Sequence, residues 1–176
     1  MNMDPALNQF KTFQFKIEKL SRSTLLQAEL LRDKVFTQID RKEKASLIAS
    51  IDKDKFSHVY EDNEIKEMQY WVVIDKVNLK LIALTGLYTE KEDNAESCWL
   101  GWFCVDDEYR KKGFGKELLN FSINQAKELS KEYLHIYTYN SLEHRVAIDM
   151  YKKYGFKEYN VKITKYKQDL YFKRDI

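Results

Sequence analysis

Eleven residues near the middle of the chain, Val105-Asp106-Asp107-Glu108-Tyr109-Arg110-Lys111-Lys112-Gly113-Phe114-Gly115, set two glycines beside three consecutive basic side chains, and Lys116 follows directly. An apolar run over 98–105 leads into them, and an amphipathic segment over 116–130 leads away. A turn between a strand and a helix start offers backbone N–H groups that have no acceptor within the helix, at the positive end of its dipole. Gly113 and Gly115 lack Cβ atoms, so a ligand can approach the main chain closely. Arg110, Lys111, Lys112 and Lys116 add charge of the right sign. The chemistry expected here is the cradling of a phosphate or pyrophosphate. The segment is not a Walker A loop, because Glu117 follows Gly115-Lys116 and Arg110 stands where the first glycine belongs. It is not a dinucleotide fingerprint either, since only two glycines are present.

A second segment, Ala147-Ile148-Asp149-Met150-Tyr151-Lys152-Lys153-Tyr154-Gly155-Phe156, sharpens the reading. Together the two segments resemble the GNAT superfamily of acyl-CoA-dependent N-acetyltransferases. Val105, Arg110, Gly113 and Gly115 match its Val, four residues, Arg/Gln-x-x-Gly-x-Gly/Ala motif. Ala147, Tyr151, Gly155 and Phe156 match its Ala-x-x-x-Tyr-x-x-x-Gly-Phe motif. The resemblance spans residues 98–156. Two departures are visible: Asp107 replaces a common Pro, and His144 stands where many members have Asn.

The resemblance implies an acyltransferase that moves the acetyl group of acetyl-CoA to a primary amine by direct attack in a ternary complex. The amine could belong to a small molecule, an amino acid or a protein N-terminus. It implies that backbone N–H groups of Lys111, Lys112, Gly113, Phe114, Gly115 and Lys116 surround the CoA pyrophosphate, with Arg110 beside them. Phe103, Cys104 and Val105 would offer main-chain groups to the pantetheine arm, and an N–H there could stabilise the oxyanion of amine attack. Asn140, after the next strand, would contact the pantetheine or the amine; it is equally an ordinary turn residue. Tyr151 would point at the CoA sulfur as general acid. A phenol of pKa about 10 can protonate a thiolate of parent pKa about 8.5 where the site is arranged for it. Taken without the resemblance, Tyr151 shares a helical stripe with Ala147 and Tyr154, the pattern of a core residue.

An ammonium near pKa 10.4 must lose a proton before attack. Family members often supply a Glu from the fourth strand, but positions 99–103 read Trp, Leu, Gly, Trp, Phe. Glu96 is the nearest acid and the candidate base; a solvated loop residue is the alternative. His135 and His144 carry no spacing argument. The missing carboxylate favours a rival, a non-catalytic CoA or acetyl-CoA sensor or regulatory domain, and Tyr151 opposes it. A nucleic-acid-binding domain rests on the local basic cluster alone.

These residues need a scaffold. Phe13, Phe15 and Ile17 alternate with polar residues as a first strand. Ser23 can cap a helix to about Phe36 with Leu26 and Leu30 one turn apart, and a short helix is expected over 42–51. Residues 52–66 read as charged and irregular. Strands over 68–75 and 79–89 form a hairpin around Lys76, Val77 and Asn78. The 98–105 run, apolar on both faces, reads as one central strand, with Gly101 marking a bulge or close backbone approach. A helix follows with Leu118, Leu119, Ser122, Ile123, Ala126 and Leu129 on one stripe. A strand over 133–139 comes next, then a helix with Val146, Ala147, Met150, Tyr151 and Tyr154 on one stripe, ended by Gly155. Val161 and Ile163 alternate with Lys162 and Thr164, and 170–173 closes the sheet. The order β-α-α-β-β-β-α-β-α-β-β gives an α/β chain with a mixed sheet. The resemblance makes it a single-domain α+β fold, a mostly antiparallel twisted sheet flanked by helices, over 10–176. Residues 1–9 read as a flexible tail.

Composition agrees with this. The 176 residues suffice for one core, with 44% hydrophobic and 14% aromatic content. A net charge of +2 argues against a general nucleic-acid binder. The longest apolar run is too short for a membrane span, and the N-terminal residues lack a signal-peptide pattern. Cys98 and Cys104, six apart on one strand face, would sit about 20 Å apart, beyond disulfide reach. Composition thus gives the expectation of a reducing cytoplasm with no metal and no nucleic acid or membrane partner, while the resemblance implies acetyl-CoA as co-substrate and an amine acceptor, with a homodimer as an option.

Overall fold

The computed structural model describes residues 14–36, 39, 41–163, 165 and 167–176, with the backbone alone at 41 and 42. The expected tail over 1–9, Phe13 and Thr164 lie outside the described residues. The strands are β1 (Phe15–Lys19), β2 (Ile65–Asp75), β3 (Lys80–Glu90), β4 (Ser97–Leu100), β5 (Cys104–Val105), β6 (Tyr133–Tyr139), β7 (Lys157–Ile163) and β8 (Gln168–Asp175). The helices are α1 (Leu25–Val35), α2 (Arg41–Lys44), α3 (Ser46–Ile51), α4 (Ser57–Asp62), α5 (Phe114–Glu128) and α6 (Arg145–Lys153). The strands form one open sheet in the order β1-β2-β3-β4-β6-β8-β7, with β5 also paired to β3. Among the described residues the β4–β6 pair is parallel and the other pairs are antiparallel.

Each face of the sheet has its own core. On one face Leu31, Leu47, Val59, Tyr60, Tyr70, Val72 and Leu84 pack with α1, α3 and α4. On the other, Leu119, Ile123 and Ala126 of α5 and Ile148 and Tyr151 of α6 cover Leu87, Leu100, Leu134, Ile136 and Phe172. This double coverage explains why β3 is buried through most of its length. Gly155, at φ +81°, ends α6. Its N–H bonds Lys152 O at 3.1 Å and Phe156 N–H bonds Tyr151 O at 3.1 Å, the pair of a Schellman turn.

The structure corrects several sequence-level expectations. The 98–105 run is two strands, because the chain breaks at residues 101–103. Gly101 N–H bonds Gly86 O at 2.8 Å, and a Cβ at Gly101 would lie 3.0 Å from the Tyr70 ring. The break slips the alternation by one residue, so Cys98 joins the α5 and α6 side while Cys104 joins the α1 side. The two cysteines therefore occupy opposite faces, both buried and free. Helix α1 is rotated from the expected stripe: Ala28, Leu31 and Arg32 are buried, whereas Leu26 and Leu30 are 67% and 62% exposed. Leucines stand at helical spacing on more than one stripe of α1, and the buried guanidinium of Arg32 selects between them. It donates to Lys44 O at 2.8 Å, pairs with Asp33 and lies 5.7 Å from the Trp102 ring centre. Thr24, not Ser23, stands at the helix start, and its Oγ1 accepts from Ser21 N–H. The single helix expected over 42–51 is two, and the irregular stretch holds α4. Leu129 and Val146 face solvent rather than the core.

Candidate active site

The basic turn is built from its flanks. Asp106 N–H bonds Ile82 O at 2.8 Å, which fixes the end of β5, and Asp106 Oδ1 accepts from Glu108 N–H at 3.1 Å. Lys34 pairs with Asp106 and Asp107, and Lys80 with Asp106 and Glu108. Tyr109 donates to Asp75 Oδ2 at 2.8 Å, tying this turn to the β2–β3 hairpin. Burial alone would raise the Asp75 carboxyl, but bonds from Tyr109, from Asn78 and from the Val77 and Asn78 amides outweigh it and hold it at about 2.

After this anchor the chain turns through Lys111 at φ +60° and Gly113 at φ +94° before entering α5. The positive φ at Gly113 is the conformation that a Cβ would oppose. The first amides bonded inside α5 are Lys116 and Glu117, both to Gly113 O. Lys111, Lys112, Gly113 and Lys116 are exposed around this helix start. Arg110 is committed locally, its Nε donating to Val105 O at 3.0 Å. Phe114 is buried against Phe15 and Tyr109. At Gly115 an added Cβ would meet Met150 of α6 at 3.7 Å, so this glycine lies where the two helices approach.

Next to the turn, the parallel pairing of β4 with β6 stops at Trp99↔His135. Beyond it the strands part, and a cavity of about 290 Å³ opens between them. Leu100, Gly101, Trp102 and Phe103 line one side and Ile136, Tyr137, Thr138 and Tyr139 the other. His144 at the N-cap of α6 and Ala147 and Tyr151 on the helix also line it; Glu43, Ser46 and Glu90 close the far end. Tyr151 is buried, with its ring 6.1 Å from Phe103 and 6.0 Å from Phe156. Burial pushes its phenol above the ordinary value, so the hydroxyl keeps its proton. The carboxyl of Glu90 is raised as well, by burial first and then by Asp93, Glu64 and Glu92.

Of the residues singled out from sequence, Phe103 and Tyr151 meet on this cavity. Cys104 and Val105 lie just beyond it, paired with Leu84 and Ala83. Two expected residues are not brought to it. Glu96 is exposed before β4, where its carbonyl accepts from Glu132 and Tyr133 N–H at the end of β4 remote from the parting. Asn140 donates from Nδ2 to Gln168 Oε1 at 2.6 Å and lines a separate cleft with Arg145, Asp149 and Lys152. His135 packs on Trp99, ring centres 4.8 Å apart, and its Nδ1 lies 3.2 Å from Tyr159 Oη. Sequence reasoning missed Glu43 and Glu90. Glu90 was legible in part, since Gly86, Tyr88 and Glu90 share parity on β3; Glu43 lies on a four-residue helix with no pattern to mark it.

The family model described as Acetyltransferase (GNAT) domain matches residues 66–158, more than half of the chain. The chain belongs to the GNAT acetyltransferase family. Acetyl-CoA is the co-substrate of that family, and the glycine turn and adjoining cavity suit a phosphate-bearing thioester. The sequence is 38% identical over 79 residues to a spermine/spermidine N(1)-acetyltransferase of Bacillus subtilis, covering 42% of this chain. The chain spans about half the length of that curated relative, 49%. The fold is similar to that of a GNAT-family protein from Desulfovibrio desulfuricans, with a TM-score of 0.72 at 11% identity over 92% of this chain and 98% of that one. It is also similar to a GNAT-family acetyltransferase from Staphylococcus aureus, with a TM-score of 0.68 at 19% identity over 92% and 98%. No helix among the described residues is long and apolar enough to cross a membrane.

Proposed function

We propose that the protein transfers the acetyl group of acetyl-CoA to a primary amine by direct attack in a ternary complex, and that the acceptor is a small polyamine-like cation. The observation that carries the reading is the position of Tyr151 on the cavity, facing the broken strand at residues 101–103. In this mechanism the exposed helix start at Gly113 holds the pyrophosphate and the parted strands receive the pantetheine arm. The amine nitrogen forms a bond to the thioester carbon, an N–H near the break steadies the oxyanion, and the C–S bond then breaks. Tyr151 gives its proton to the departing sulfur and regains one from the attacking nitrogen.

The acceptor class rests on the far end of the cavity. Leu87 pairs with Leu100, and Glu90 lies three residues further along β3, about 10 Å away at the rise of a strand. A carboxylate at that distance suits a second ammonium on the same acceptor, and the Tyr70 and Tyr88 rings between them favour a cationic chain. Burial and like charges at Glu90 make that position one that gains from a cation. The Bacillus subtilis relative, named for spermine and spermidine, supports the same class.

Release of CoA thiol from acetyl-CoA with putrescine, spermidine, spermine, lysine and propylamine tests the reading. The di- and polyamines should give the highest kcat/KM. Acetyl-CoA alone, at a hundredfold excess over its Kd, should stabilise the fold by about 2.7 kcal/mol. Thiol release with none of the amines rejects acetyl transfer to amines; equal rates with propylamine and spermidine reject the polyamine class.

A further inference from the structure

The acetyl-transfer reading leaves one proton without a destination, the one that the acceptor ammonium must lose before attack. We propose that His144 takes it. His144 borders the same cavity as Tyr151, seven residues earlier, at the N-cap of α6. Seven residues are two helical turns, about 10 Å along the axis. A base and an acid so spaced stand on either side of a thioester carbon between them.

The imidazole is held from one side. Its Nδ1 lies 2.7 Å from Ser141 Oγ, and the Tyr139 ring packs edge-on with centres 5.7 Å apart. With Nδ1–H donating to Ser141 Oγ, the lone pair is left on Nε2, which is the form that accepts a proton. The groups around it are Glu143 beside it, Tyr139 from β6, Tyr151 from its own helix, and Glu43 and Glu90 across the cavity. Burial lowers the imidazole pKa and Glu143 partly offsets this, so the ring is neutral at neutral pH.

The step balances. One proton leaves the ammonium for Nε2 and passes on to solvent. The freed lone pair forms the C–N bond, the C–S bond breaks, and the second proton lost by nitrogen replaces the one Tyr151 gives to sulfur. The products are the acetylated amine and CoA thiol, with one proton released.

The test compares kcat against pH for the wild type, His144→Gln and Ser141→Ala, using acetyl-CoA and spermidine, with acetyl-CoA affinity by calorimetry. His144→Gln should lower kcat about 10²- to 10⁴-fold and leave acetyl-CoA affinity unchanged. The wild-type kcat should rise with pH on an acid limb below the ordinary histidine value, and His144→Gln should lack that limb. Ser141→Ala should give a smaller loss and a displaced limb. Nitrogen-15 NMR of the wild type, independent of turnover, should show Nδ1 protonated and Nε2 bare at neutral pH. Wild-type kcat and limb in His144→Gln overturn the proposal, as does weakened acetyl-CoA binding with kcat intact, or the opposite tautomer. An active wild type indifferent to His144 overturns this inference alone. A wild type that binds acetyl-CoA but turns over no amine overturns the acetyl-transfer reading with it.

Discussion

Tyr151 meets two demands at once. Its ring packs with Phe103, Phe156 and Phe172, and its edge borders the cavity. The helical stripe alone favoured a core tyrosine, and only the motif match pointed to a proton donor. Tyr151→Phe separates them. The substitution keeps the ring and removes the hydroxyl, so the melting temperature and acetyl-CoA affinity should hold while kcat falls about 10²- to 10⁴-fold. An unchanged kcat, in a step shown by single-turnover kinetics to be chemistry, returns Tyr151 to packing alone. His144 illustrates the opposite limit. Nothing in its spacing to other polar residues marked it, and it gained significance only when α6 aimed it at the space that Tyr151 also borders.

At the scale of elements, the site depends on a strand that stops. Cys98 to Val105 carries the composition of a continuous buried strand, and composition cannot report that the chain slips by one residue at 101–103. At the slip the Tyr70 ring from β2 lies across two glycines. A Cβ at Gly86 would come within 2.2 Å of Tyr70 Cδ1 and one at Gly101 within 3.0 Å of Cε1. Gly86→Ala should therefore force the ring toward Gly101 and the cavity wall. The expected cost is about 1–3 kcal/mol of stability, read as a lower urea midpoint, together with reduced turnover. A midpoint equal to the wild type would mean that the ring has room to turn aside and does not set the break.

Across the whole molecule, the basic glycine turn is coupled to the β2–β3 hairpin through Asp75. Asp75 is fully buried, accepts from Tyr109 and Asn78, and has its carboxyl held at about 2 against an ordinary 3.8. A depressed carboxylate stabilises the fold fully above its unfolded value, and that contribution is lost as pH falls from about 4 toward 2. Asp107, held down to about 2 first by Lys34, titrates over the same window at the same turn. The melting temperature of the wild type should therefore drop between pH 4 and 2, and Asp75→Asn should be less stable at pH 7 with a shallower drop. Parallel curves for the two proteins over that range would show that Asp75 does not carry the linkage.

The two motifs determined a good deal by themselves. Glycines at 113 and 115, the basic side chains between strand and helix, and the Tyr151–Gly155 spacing are local, so turn chemistry and helical period were enough to read the turn before α5, the helix end and the family. The alternation of β2, β3 and β6 likewise follows from side chains that point to opposite faces of a strand. What the tertiary structure decided is everything that needs two distant segments at once. Which stripe of α1 is buried depends on Arg32 reaching Lys44 and Trp102. Which acids approach the cavity depends on where β3 and α2 end, and this set aside Glu96 and brought in Glu43 and Glu90. The cavity itself exists because β4 and β6 pair for three residues and then part. A relation between strands more than thirty residues apart leaves no mark on either strand alone.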